Sequence, residues 1–356
     1  MICMHVYSPN KFLHFSDRIE ALREGRIAAP VHVRIKPINR CNHACWYCAY
    51  RADELSLGED MRHEDRIPDA KMKEITDDLI RMNVKAVTFS GGGEPLLYKS
   101  LPERVRDLAE GGVQVATLTN GSNLKGRMAD AFAEYGTWVR VSLDAWDDAS
   151  YAKSRSIREG AFTNLMQNLN DFTRRDSKCV LGVSFIIDEK NCGRIAETCN
   201  RLRDAGVAHV KLSAAVVSND VARNNAYHRR LAGVVAAEIE QSRMLETATF
   251  QIIDHYHEME DRFEKAYTSC AFMRFLTVIG ADCSVYACQD KAYTKSGWLG
   301  SIQDQRFADL WFSEAMKARI AAMDPQKNCR HHCVSHLKNE TLNELLTLDP
   351  NHVAFV

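Results

Sequence analysis

The chain has 356 residues, of which 46% are hydrophobic and 26% are charged, a composition typical of globular proteins. Its 46 basic and 47 acidic residues give a formal net charge of −1, so there is no basic excess for a nucleic acid or an anionic membrane. The amino-terminal stretch MICMHVYSPNKFLHFSDR lacks the charged region and apolar core of a signal peptide. No apolar run is long enough to span a bilayer. We therefore expect a cytoplasmic protein without nucleic-acid or membrane partners.

The twelve cysteines are unusually numerous for a protein that lacks a secretion signal. Three of them lie within 41–48 and five within 270–333, and clustering of this kind indicates metal binding rather than disulfides. We interpret the scattered cysteines as small buried hydrophobic residues. These scattered cysteines are Cys3, Cys179, Cys192 and Cys199.

Six apolar, valine-rich segments alternate with amphipathic stretches in the first two thirds of the chain. Continuous apolar runs are typical of parallel strands that are buried on both faces. The predicted strands cover 31–37, 85–92, 113–121, 138–145, 179–187 and 209–215. The repeated strand–helix unit predicts an α/β protein with a parallel sheet, either open or curled into an incomplete barrel. Functional residues should then follow the carboxyl ends of the strands.

The chain divides into three predicted regions. Residues 1–30 form an amino-terminal lead-in, 31–250 the strand–helix barrel, and 251–356 a cysteine-rich domain with a carboxyl-terminal tail. The sequence from about 217 to 266 is polar and predicts helices, so no linker marks the boundary. Within the last region, LTVIGADCSVYACQD predicts a short hairpin.

The first cysteine group follows the first predicted strand in the order C-x3-C-x2-C, as Cys41, Cys45 and Cys48. A [4Fe–4S] cube normally takes one thiolate on each iron, so three cysteines leave the fourth iron open. Zinc is the alternative, but a structural zinc requires four ligands and a catalytic zinc more often uses His or carboxylates. The spacing favours the cluster over zinc.

This motif resembles the signature of the radical S-adenosylmethionine (SAM) superfamily, in which an aromatic residue such as Tyr47 commonly precedes the third cysteine. The resemblance implies a partial (β/α)6 TIM-like barrel. It also implies that the open iron binds SAM through its amino and carboxylate groups. Reduction of the cluster then cleaves SAM into methionine and a 5′-deoxyadenosyl radical.

Four further segments at strand ends resemble the same superfamily and imply its SAM-binding residues. SGGGEP supplies Glu94 as an acceptor for the SAM ammonium, LTNGS and VSLDA supply polar contacts, and KSRSIREG supplies Arg155, with Arg158 as a competitor. Taken singly, each polar residue could instead cap a strand end. The implied set is Tyr47, Gly92, Gly93, Glu94, Pro95, Thr119, Asn120, Ser142, Asp144 and Arg155.

The second cysteine group resembles the carboxyl-terminal SPASM/Twitch extension of radical SAM enzymes. Its five cysteines are too few for the two clusters of a full SPASM domain, and the resemblance implies one auxiliary [4Fe–4S] cluster. The implied ligands are Cys270, Cys288, Cys329 and Cys333. Zinc remains an alternative, since four thiolates suit it.

Two kinds of residue accompany the four implied ligands of this second group. Cys283 replaces a hairpin glycine of the extension, and it is a spare buried thiol, a hydrogen-atom donor or an alternative ligand. We interpret His331, His332 and His336 as solvated residues or neighbours of the ligands rather than as ligands.

The resemblance implies hydrogen-atom abstraction from a small polar substrate such as a carbohydrate or aminocyclitol. The auxiliary cluster would accept an electron in a two-electron oxidation, and a flavodoxin or ferredoxin would reduce the enzyme. Peptide or protein maturation is an alternative, although about thirty residues before the first strand are too few for a leader-recognition domain. A redox-neutral epimerisation or dehydration is another alternative, and a non-catalytic electron carrier would not explain the strand-end residues. The catalytic base stays unassigned among Asp254, His255, His257 and Glu258.

Overall fold

The computed structural model describes residues 7–52, 55, 57–257 and 262–355. Cys3 and Glu258, which the sequence analysis named, lie outside the described residues. None of the described helices is both long enough and apolar enough to cross a membrane.

The strands of the described residues belong to one sheet. They are β1 (His32–Ile35), β2 (Ala86–Phe89), β3 (Gln114–Thr119), β4 (Gly136–Leu143), β5 (Val180–Ile187), β6 (His209–Ala214), β7 (Gln251–Asp254), β8 (Leu276–Ile279), β9 (Ser284–Tyr286) and β10 (Trp298–Ser301). Their order across the sheet is β10-β9-β8-β1-β2-β3-β4-β5-β6-β7. All pairs from β8 to β7 are parallel, and β9 and β10 extend the sheet as antiparallel strands.

The α-helices are α1 (Ser16–Arg23), α2 (Asp69–Arg81), α3 (Leu101–Glu110), α4 (Gly126–Tyr135), α5 (Asp148–Arg155), α6 (Ala161–Thr173), α7 (Ile195–Asp204), α8 (Val221–Arg229), α9 (Ala232–Arg243), α10 (Phe307–Trp311), α11 (Glu314–Ala322), α12 (Pro325–Asn328) and α13 (His336–Thr347). Helices α2 to α9 lie between strands β1 and β7 along the chain, α1 precedes β1, and α10 to α13 follow β10. Short 3-10 helices cover Pro9–His14, Pro95–Leu97, Ala271–Arg274, Gln289–Lys291 and Lys295–Gly297.

Helix α2 illustrates how the sequence sets these elements. Met72, Ile75 and Leu79 recur at helical spacing and are fully buried, which places one stripe of the helix against the sheet. The chain leaves the helix at Asn83, whose φ of 57° is left-handed, a conformation that Asn tolerates better than most residues. Burial of each such aliphatic side chain stabilises the fold by roughly 1.5–3 kcal/mol.

All six predicted strands are present, and the predicted hairpin is formed by β8 and β9. The helices expected from about 217 to 266 are present as α8 and α9, but the sequence analysis missed β7, which follows α9 and pairs with β6. Strand β8 also pairs in parallel with β1, so one sheet runs through the predicted boundary at residue 250. The division into domains therefore stays a prediction, and the described strands form an open sheet with β7 and β10 at its edges.

Strands β2 and β3 are almost continuously buried, as expected, but the sequence interpretation was wrong for β1, β4 and β5, which are not buried equally on both faces. In β1, Val33 and Ile35 are fully buried beneath the helices, whereas His32 and Arg34 on the opposite face are partly exposed. Strands β4 and β5 show the same alternation. We call the face opposite the helices the inner face. It carries polar side chains that the valine-rich pattern concealed.

The terminal segments pack together beside β8. Phe12 and Ile19 from the amino-terminal segment contact Phe275 and, from α13, Leu342 in a separate apolar cluster. The indole N–H of Trp311 donates to the Ala28 carbonyl (2.8 Å), which ties the lead-in to the region after β10. These contacts fix the start of β1 and hence the loop that follows its carboxyl end.

Candidate functional site: two cysteine groups at one end of the sheet

The first cysteine group occupies the loop that leaves the carboxyl end of β1. Cys41, Cys45 and Cys48 are half-buried free thiols. The loop folds on itself through a hydrogen bond from the Cys48 N–H to the Cys45 carbonyl (3.1 Å), and the Cys41 sulfur accepts a hydrogen bond from the His43 N–H (3.4 Å). We call residues 41–48 the cluster loop.

Side chains after β3 anchor the cluster loop from one side. The Asn120 side-chain amide donates to Asn42 Oδ1 (2.8 Å), and the Asn42 amide donates to the Ser122 hydroxyl (2.9 Å). Asn120 Oδ1 in turn accepts from the Ser122 N–H (2.9 Å). The predicted site residue Asn120 is thus joined to the loop through Asn42, a partner that no motif identified.

Helix α5 anchors the cluster loop from the other side. The Ala44 N–H donates to the Arg155 carbonyl (2.9 Å), and the Trp46 N–H donates to the Ser154 carbonyl (3.3 Å). These are the last residues of α5 and its carbonyls have no partner within the helix. The loop therefore caps the helix while the helix holds the loop.

Glu94, Thr119 and Asn120 meet at the carboxyl ends of β2 and β3, as the parallel sheet predicted. Glu94 Oε1 accepts hydrogen bonds from the Thr119 hydroxyl (2.6 Å) and the Leu96 N–H (3.0 Å), and Oε2 accepts from the Asn120 N–H (2.8 Å). Burial raises the pKa of the Glu94 carboxyl, against the effect of these donors. An ionised carboxylate has about four acceptor positions, so one remains for an ammonium group.

The glycines before Glu94 allow the turn to approach the cluster loop closely. A Cβ atom on Gly92 would lie 2.2 Å from Asn39 Oδ1, and one on Gly93 would lie 2.1 Å from the Arg40 carbonyl oxygen. The structure therefore explains both glycines by close contact with the segment before the loop, with the Asn39 side chain at Gly92 and the Arg40 backbone at Gly93, rather than by contact with a ligand alone. Pro95 starts a 3-10 helix and is buried.

Arg155 is almost completely buried and its guanidinium has several protein partners. Its Nε donates to Asp144 (2.7 Å), and Nη2 donates to the Tyr47 hydroxyl (2.7 Å) and the Ser142 carbonyl (2.9 Å). Nη1 lies 3.4 Å from His43 Nδ1. Burial alone would lower the pKa of Arg155, but Tyr47 and Asp144 outweigh it and raise the pKa.

These contacts change the interpretation of three predicted residues. The resemblance assigned Arg155 to the SAM carboxylate, yet most of its N–H donors are used by Asp144, Tyr47 and backbone atoms. Asp144 is likewise paired, with Arg155 and with the Ser154 hydroxyl. The side chain of Ser142 is half-buried on the inner face, and the competing candidate Arg158 is exposed.

The cluster loop fits a [4Fe–4S] cube by the chemistry of its donors. Burial raises the pKa of Cys41 and raises the pKa of Cys45 to about 11, and the charge on neighbouring cysteines contributes to both shifts. The three sulfurs therefore lie near enough to repel one another as thiolates. Iron binds cysteine in the deprotonated form, and its positive charge offsets the repulsion between the thiolates. Three donors leave one of four irons without a cysteine.

The second cysteine group surrounds a cavity beside β8 and β9. All four implied ligands, which are drawn from separate segments, line it: Cys270, Cys288, Cys329 and Cys333. Burial raises the pKa of Cys270 to about 11 and that of Cys333 to about 12, and the neighbouring thiols add to both shifts. The donor set therefore fits a cluster with a cysteine on every iron.

Two polar atoms on the cavity wall have no hydrogen-bond partner among the described residues. These are Asp290 Oδ2 and His331 Nε2, and both are buried. Lys265 also lines the cavity, and its ammonium donates to the backbone carbonyls of Phe263 and His331. Buried polar atoms normally have partners, and both of these atoms are acceptors, so neither contributes a donor to the sulfides of a cluster. Across the described residues, no three His, Cys, Asp or Glu side chains have the arrangement of a single-ion site.

Cys283 is buried in the turn between β8 and β9 and does not line this cavity. Its φ is 57°, a left-handed conformation that explains why glycine is usual at this position. Burial raises the pKa of its thiol to about 11. These observations favour the spare buried thiol over an alternative ligand.

Of the two interpretations given for the three histidines, solvated residues or neighbours of the ligands, the structure favours the second for His331, which lines the cavity. His331 and His336 are buried, because the chain before α13 folds over the cavity. His331 Nδ1 lies 2.8 Å from the His332 carbonyl, and His336 Nδ1 lies 3.2 Å from the Tyr267 hydroxyl. The polar run RHHCVSH concealed this burial.

A hydrogen-bonded bridge joins the two cysteine groups, and sequence analysis missed it. Lys36, at the carboxyl end of β1, donates to the Tyr50 hydroxyl and to the Gly91 carbonyl (2.6 Å). The Tyr50 hydroxyl donates to the Gln289 carbonyl (2.9 Å). Burial lowers the pKa of Lys36 to about 7, whereas the charges of Cys48 and Cys288 act to raise it. Tyr50 follows one cysteine group and Gln289 follows Cys288, so the bridge is direct.

An open cavity of about 560 Å³ lies next to the cluster loop. Trp46 forms part of its wall, and Asp188, Lys190, Arg223 and Tyr227 line it from the ends of β5 and β6 and from α8. The volume is in the range of small-molecule sites. The cavity lies at the carboxyl edge of the strands, where the sequence placed functional residues.

The candidate bases after β7 separate into two environments. Asp254 pairs with His257 (2.8 Å) and lies 3.7 Å from Arg243. His255 instead packs edge-on against Tyr7, with ring centroids 5.4 Å apart. Of the described candidates, His255 is the one that contacts Tyr7, a residue next to the face of the sheet opposite the helices.

Two family models match the chain. The radical SAM superfamily matches residues 35–202, and the SPASM iron–sulfur cluster-binding domain matches residues 270–334. The first match contains the cluster loop and the strand-end residues. The second contains the cysteines that line the cavity.

The chain matches only part of the length of the curated relatives that are similar to it. Fe-coproporphyrin III synthase of Methanosarcina barkeri is 28% identical over 172 residues, and pre-heme d1 synthase of Dinoroseobacter shibae is 30% identical over 207 residues. The matches cover 48% and 56% of this chain. They span 40% and 48% of the two relatives, which is less than half of each.

A solved structure shows the same fold over most of the chain. The crystal structure of Streptococcus suis SuiB bound to S-adenosylmethionine aligns with a TM-score of 0.62 at 16% identity, covering 94% of this chain and 81% of SuiB. A likeness at this identity concerns the arrangement of the elements.

Proposed function

The chain belongs to the radical SAM superfamily and carries a carboxyl-terminal SPASM iron–sulfur domain, and from this premise we propose that it oxidises a small polar substrate by two electrons. The cofactors of this class are a [4Fe–4S] cluster, SAM and auxiliary iron–sulfur chemistry in the SPASM domain. One observation carries the proposal. The cavity with four cysteine thiols is joined to the cluster loop by the Lys36–Tyr50–Gln289 bridge.

In this proposal Cys41, Cys45 and Cys48 hold the first cluster, and Glu94 accepts a hydrogen bond from the SAM ammonium. Thr119 and Asn120 position Glu94, since both donate to its carboxylate. Gly92, Gly93 and Pro95 shape the turn that brings Glu94 to the loop.

The remaining implied residues, Tyr47, Ser142, Asp144 and Arg155, act mainly on the loop. The buried Arg155 holds Tyr47 next to the third cysteine and is itself held by Asp144. This differs from the role that the resemblance gave to Arg155. We propose it as a positioning residue whose loss would misplace the loop.

When bound, these cofactors supply a 5′-deoxyadenosyl radical that takes a hydrogen atom from the substrate and an auxiliary cluster that accepts one electron. Cys270, Cys288, Cys329 and Cys333 would hold that auxiliary cluster, so no iron remains open for the substrate. The substrate, having lost a hydrogen atom and an electron, also releases a proton. The sum is a two-electron oxidation.

The substrate space in this proposal is the 560 Å³ cavity beside Trp46, together with the inner face of the sheet. Such a volume suits a small molecule better than a folded protein. A carbohydrate or aminocyclitol is one candidate. The names of the two curated relatives, which refer to Fe-coproporphyrin III and pre-heme d1, suggest a porphyrin-like substrate as another. A flavodoxin or ferredoxin is the proposed reductant.

The test is a product analysis with anaerobically reconstituted protein, dithionite and SAM. A size-fractionated cell extract is added, and substrate-dependent 5′-deoxyadenosine is measured by chromatography. We expect the fraction of small molecules to stimulate it, with a product lighter by two hydrogens. The variant with Cys41, Cys45 and Cys48 all replaced by alanine is the control and should show background only.

Other results would replace this proposal. Stimulation by the peptide fraction alone would favour the maturase that SuiB, crystallised with its precursor peptide SuiA, represents. A product of unchanged mass would favour epimerisation, and one lighter by a water molecule would favour dehydration. Either result would remove the role of the auxiliary cluster as electron acceptor.

A further inference from the structure

The inner face of the sheet carries a row of cationic residues, the last of which, Lys36, belongs to the bridge between the two cysteine groups. His32, Arg34 and Lys36 alternate along β1 and its end, and their side chains lie on the face opposite the buried Val33 and Ile35. Arg140 on β4 has the same orientation, between the buried Val139 and Val141. The face that the helices leave uncovered is therefore basic.

Arg34 and Arg140 lack acidic partners. Neither guanidinium forms an ion pair with a carboxylate among the residues for which the structure gives positions, and over the same residues the Arg34 guanidinium forms no hydrogen bond. Arg34 Nε and Arg140 Nε are both buried without a hydrogen-bond acceptor. Buried charged groups are normally paired. The two unpaired Nε–H groups are donors available to an anionic ligand on the inner face.

The two arginines act on each other although they lie on strands separated by β2 and β3. Burial lowers the pKa of Arg34, and the positive charge of Arg140 is the next cause. Asp290 partly offsets this effect, but it does not pair with Arg34. Both guanidiniums lie on the inner face, where the charge of Arg140 acts on Arg34, and Asp290, Tyr50 and Cys288 offset part of this repulsion.

Neighbouring groups add donors to this space. The Arg140 Nη1 donates to the Tyr7 hydroxyl (3.1 Å), which also lies 2.9 Å from His209 Nε2. The hydroxyl of Ser213, on β6, is buried and has no partner in the described part of the chain. Hydroxyl and guanidinium donors together are the chemistry of a carboxylate or phosphate site.

We infer that Arg34 and Arg140 form a subsite on the inner face for an anionic group, a carboxylate or a phosphate, of the substrate. This inference rests on the proposed function in that the anion belongs to the molecule being oxidised. It also selects among the candidate substrates. An aminocyclitol, whose ammonium would meet the two guanidiniums, is disfavoured, and a substrate with carboxylates or phosphates is favoured.

The subsite is tested by isothermal titration of the reconstituted protein with inorganic pyrophosphate and, separately, with citrate. SAM is present at saturation, so that its own carboxylate site is filled. We expect saturable binding of at least one probe. Binding of pyrophosphate alone identifies a phosphate subsite, binding of citrate alone a carboxylate subsite, and absence of saturable binding of both overturns the inference.

Two variants and a matched control assign the binding to the arginines. Arg34→Gln and Arg140→Gln should each weaken the probe about tenfold, the effect of losing one charge-assisted hydrogen-bonding group. Arg106→Gln removes an exposed arginine on α3, on the helix-covered side, and should change nothing. Wild-type affinity in both inner-face variants would overturn the inference.

Two further measurements keep the outcomes distinct. If a variant fails to fold, phenylglyoxal labelling of the wild-type protein replaces the binding measurement on that variant. The bound probe should protect Arg34 and Arg140 from labelling. Unchanged labelling would contradict the subsite. SAM cleavage without substrate is measured on the same preparations. Intact anion binding without SAM cleavage would overturn the proposed function and leave the subsite standing.

Discussion

The two cysteine groups both supply thiols, but they arrange them differently. The first draws three thiols from eight consecutive residues and holds them on a loop, whose position depends on Asn42 and on α5. The second draws four thiols from segments up to about sixty residues apart and closes them around a cavity. In the proposed function, the first site binds SAM at an open iron, and its loop is held by the protein. The second site passes an electron in that proposal and is closed by its own chain.

The contrast extends to what each group does for the fold. The cluster loop is tied down by protein contacts whether or not iron is present, in particular by the buried Asp144–Arg155 pair. The auxiliary site lies where the segment before β8, the end of β9 and the chain before α13 meet, and hydrogen bonds such as that from Lys291 to the Asn328 carbonyl (2.6 Å) also join these segments. Metal binding to ligands that are distant in sequence contributes directly to folding.

The largest expected effect separates the groups by chemistry. Replacing Cys41, Cys45 and Cys48 together with alanine should reduce SAM cleavage to background, because the open iron is lost. Cys288→Ala should remove the auxiliary cluster and leave substrate-independent SAM cleavage measurable. Dithionite-driven formation of 5′-deoxyadenosine gives both values. Equal loss of cleavage in the two variants would contradict the division of roles.

A second prediction tests how the cluster loop is held. Asp144→Asn leaves the Arg155 guanidinium buried without its carboxylate, and we expect it to lower the free energy of unfolding by about 3–5 kcal/mol. Urea unfolding monitored by circular dichroism measures the change. The exposed pair Arg127–Glu103 is the matched control, since Arg127→Gln should cost at most about 1 kcal/mol. Equal costs at the two pairs would mean that the buried pair does not organise the site.

A third prediction concerns the inner face between the groups. Burial lowers the pKa of His32 to about 3, with Arg34, Lys338 and Lys11 adding to the shift, and lowers that of His209 to about 4, with Arg140 adding. Since the unfolded chain binds these protons near pH 6.5, stability is full above that pH and falls between about 6.5 and 4. The expected slope is about 1.4 kcal/mol per pH unit for each histidine.

Urea unfolding across that pH range measures the slope. His209→Gln should reduce the contribution of the inner face by about half, because one of the two histidines is removed. An unchanged slope in the variant would show that the acid sensitivity has its origin at the cysteine groups instead.

The smallest expected effect is at Cys283. Replacement by glycine relieves the left-handed φ of 57° but adds chain entropy to the unfolded state. We expect stability to change by no more than about 1 kcal/mol and the iron content to stay the same. A loss of iron in Cys283→Gly would identify this thiol as a ligand and weaken the closed four-cysteine site.

The parts of this fold that repeat along the chain could be predicted from the sequence. Valine-rich segments alternating with amphipathic helices indicated the parallel strands β1 to β6, and parallel strands place their following residues at one edge. The meeting of Glu94, Thr119 and Asn120 follows from that geometry. Strand β7 was missed because QIID is short and half polar.

Contacts between distant segments could not be predicted in the same way. Tyr50 and Gln289 are 239 positions apart, and no pattern within either segment indicates their hydrogen bond. The burial of His331 depends on where α13 packs. The basic inner face did leave a signal, since His32, Arg34 and Lys36 alternate in VHVRIKP, but the intervening Val and Ile dominated the interpretation.

The most direct test of the two-site account is the content of iron and sulfide per chain after anaerobic reconstitution. The account predicts about eight irons in the wild-type protein, and about four both in the variant without Cys41, Cys45 and Cys48 and in Cys288→Ala. About four irons in the wild-type protein, none in the first variant and zinc in place of the rest would contradict it. The auxiliary electron acceptor would then be absent, and a redox-neutral radical reaction would become the better description.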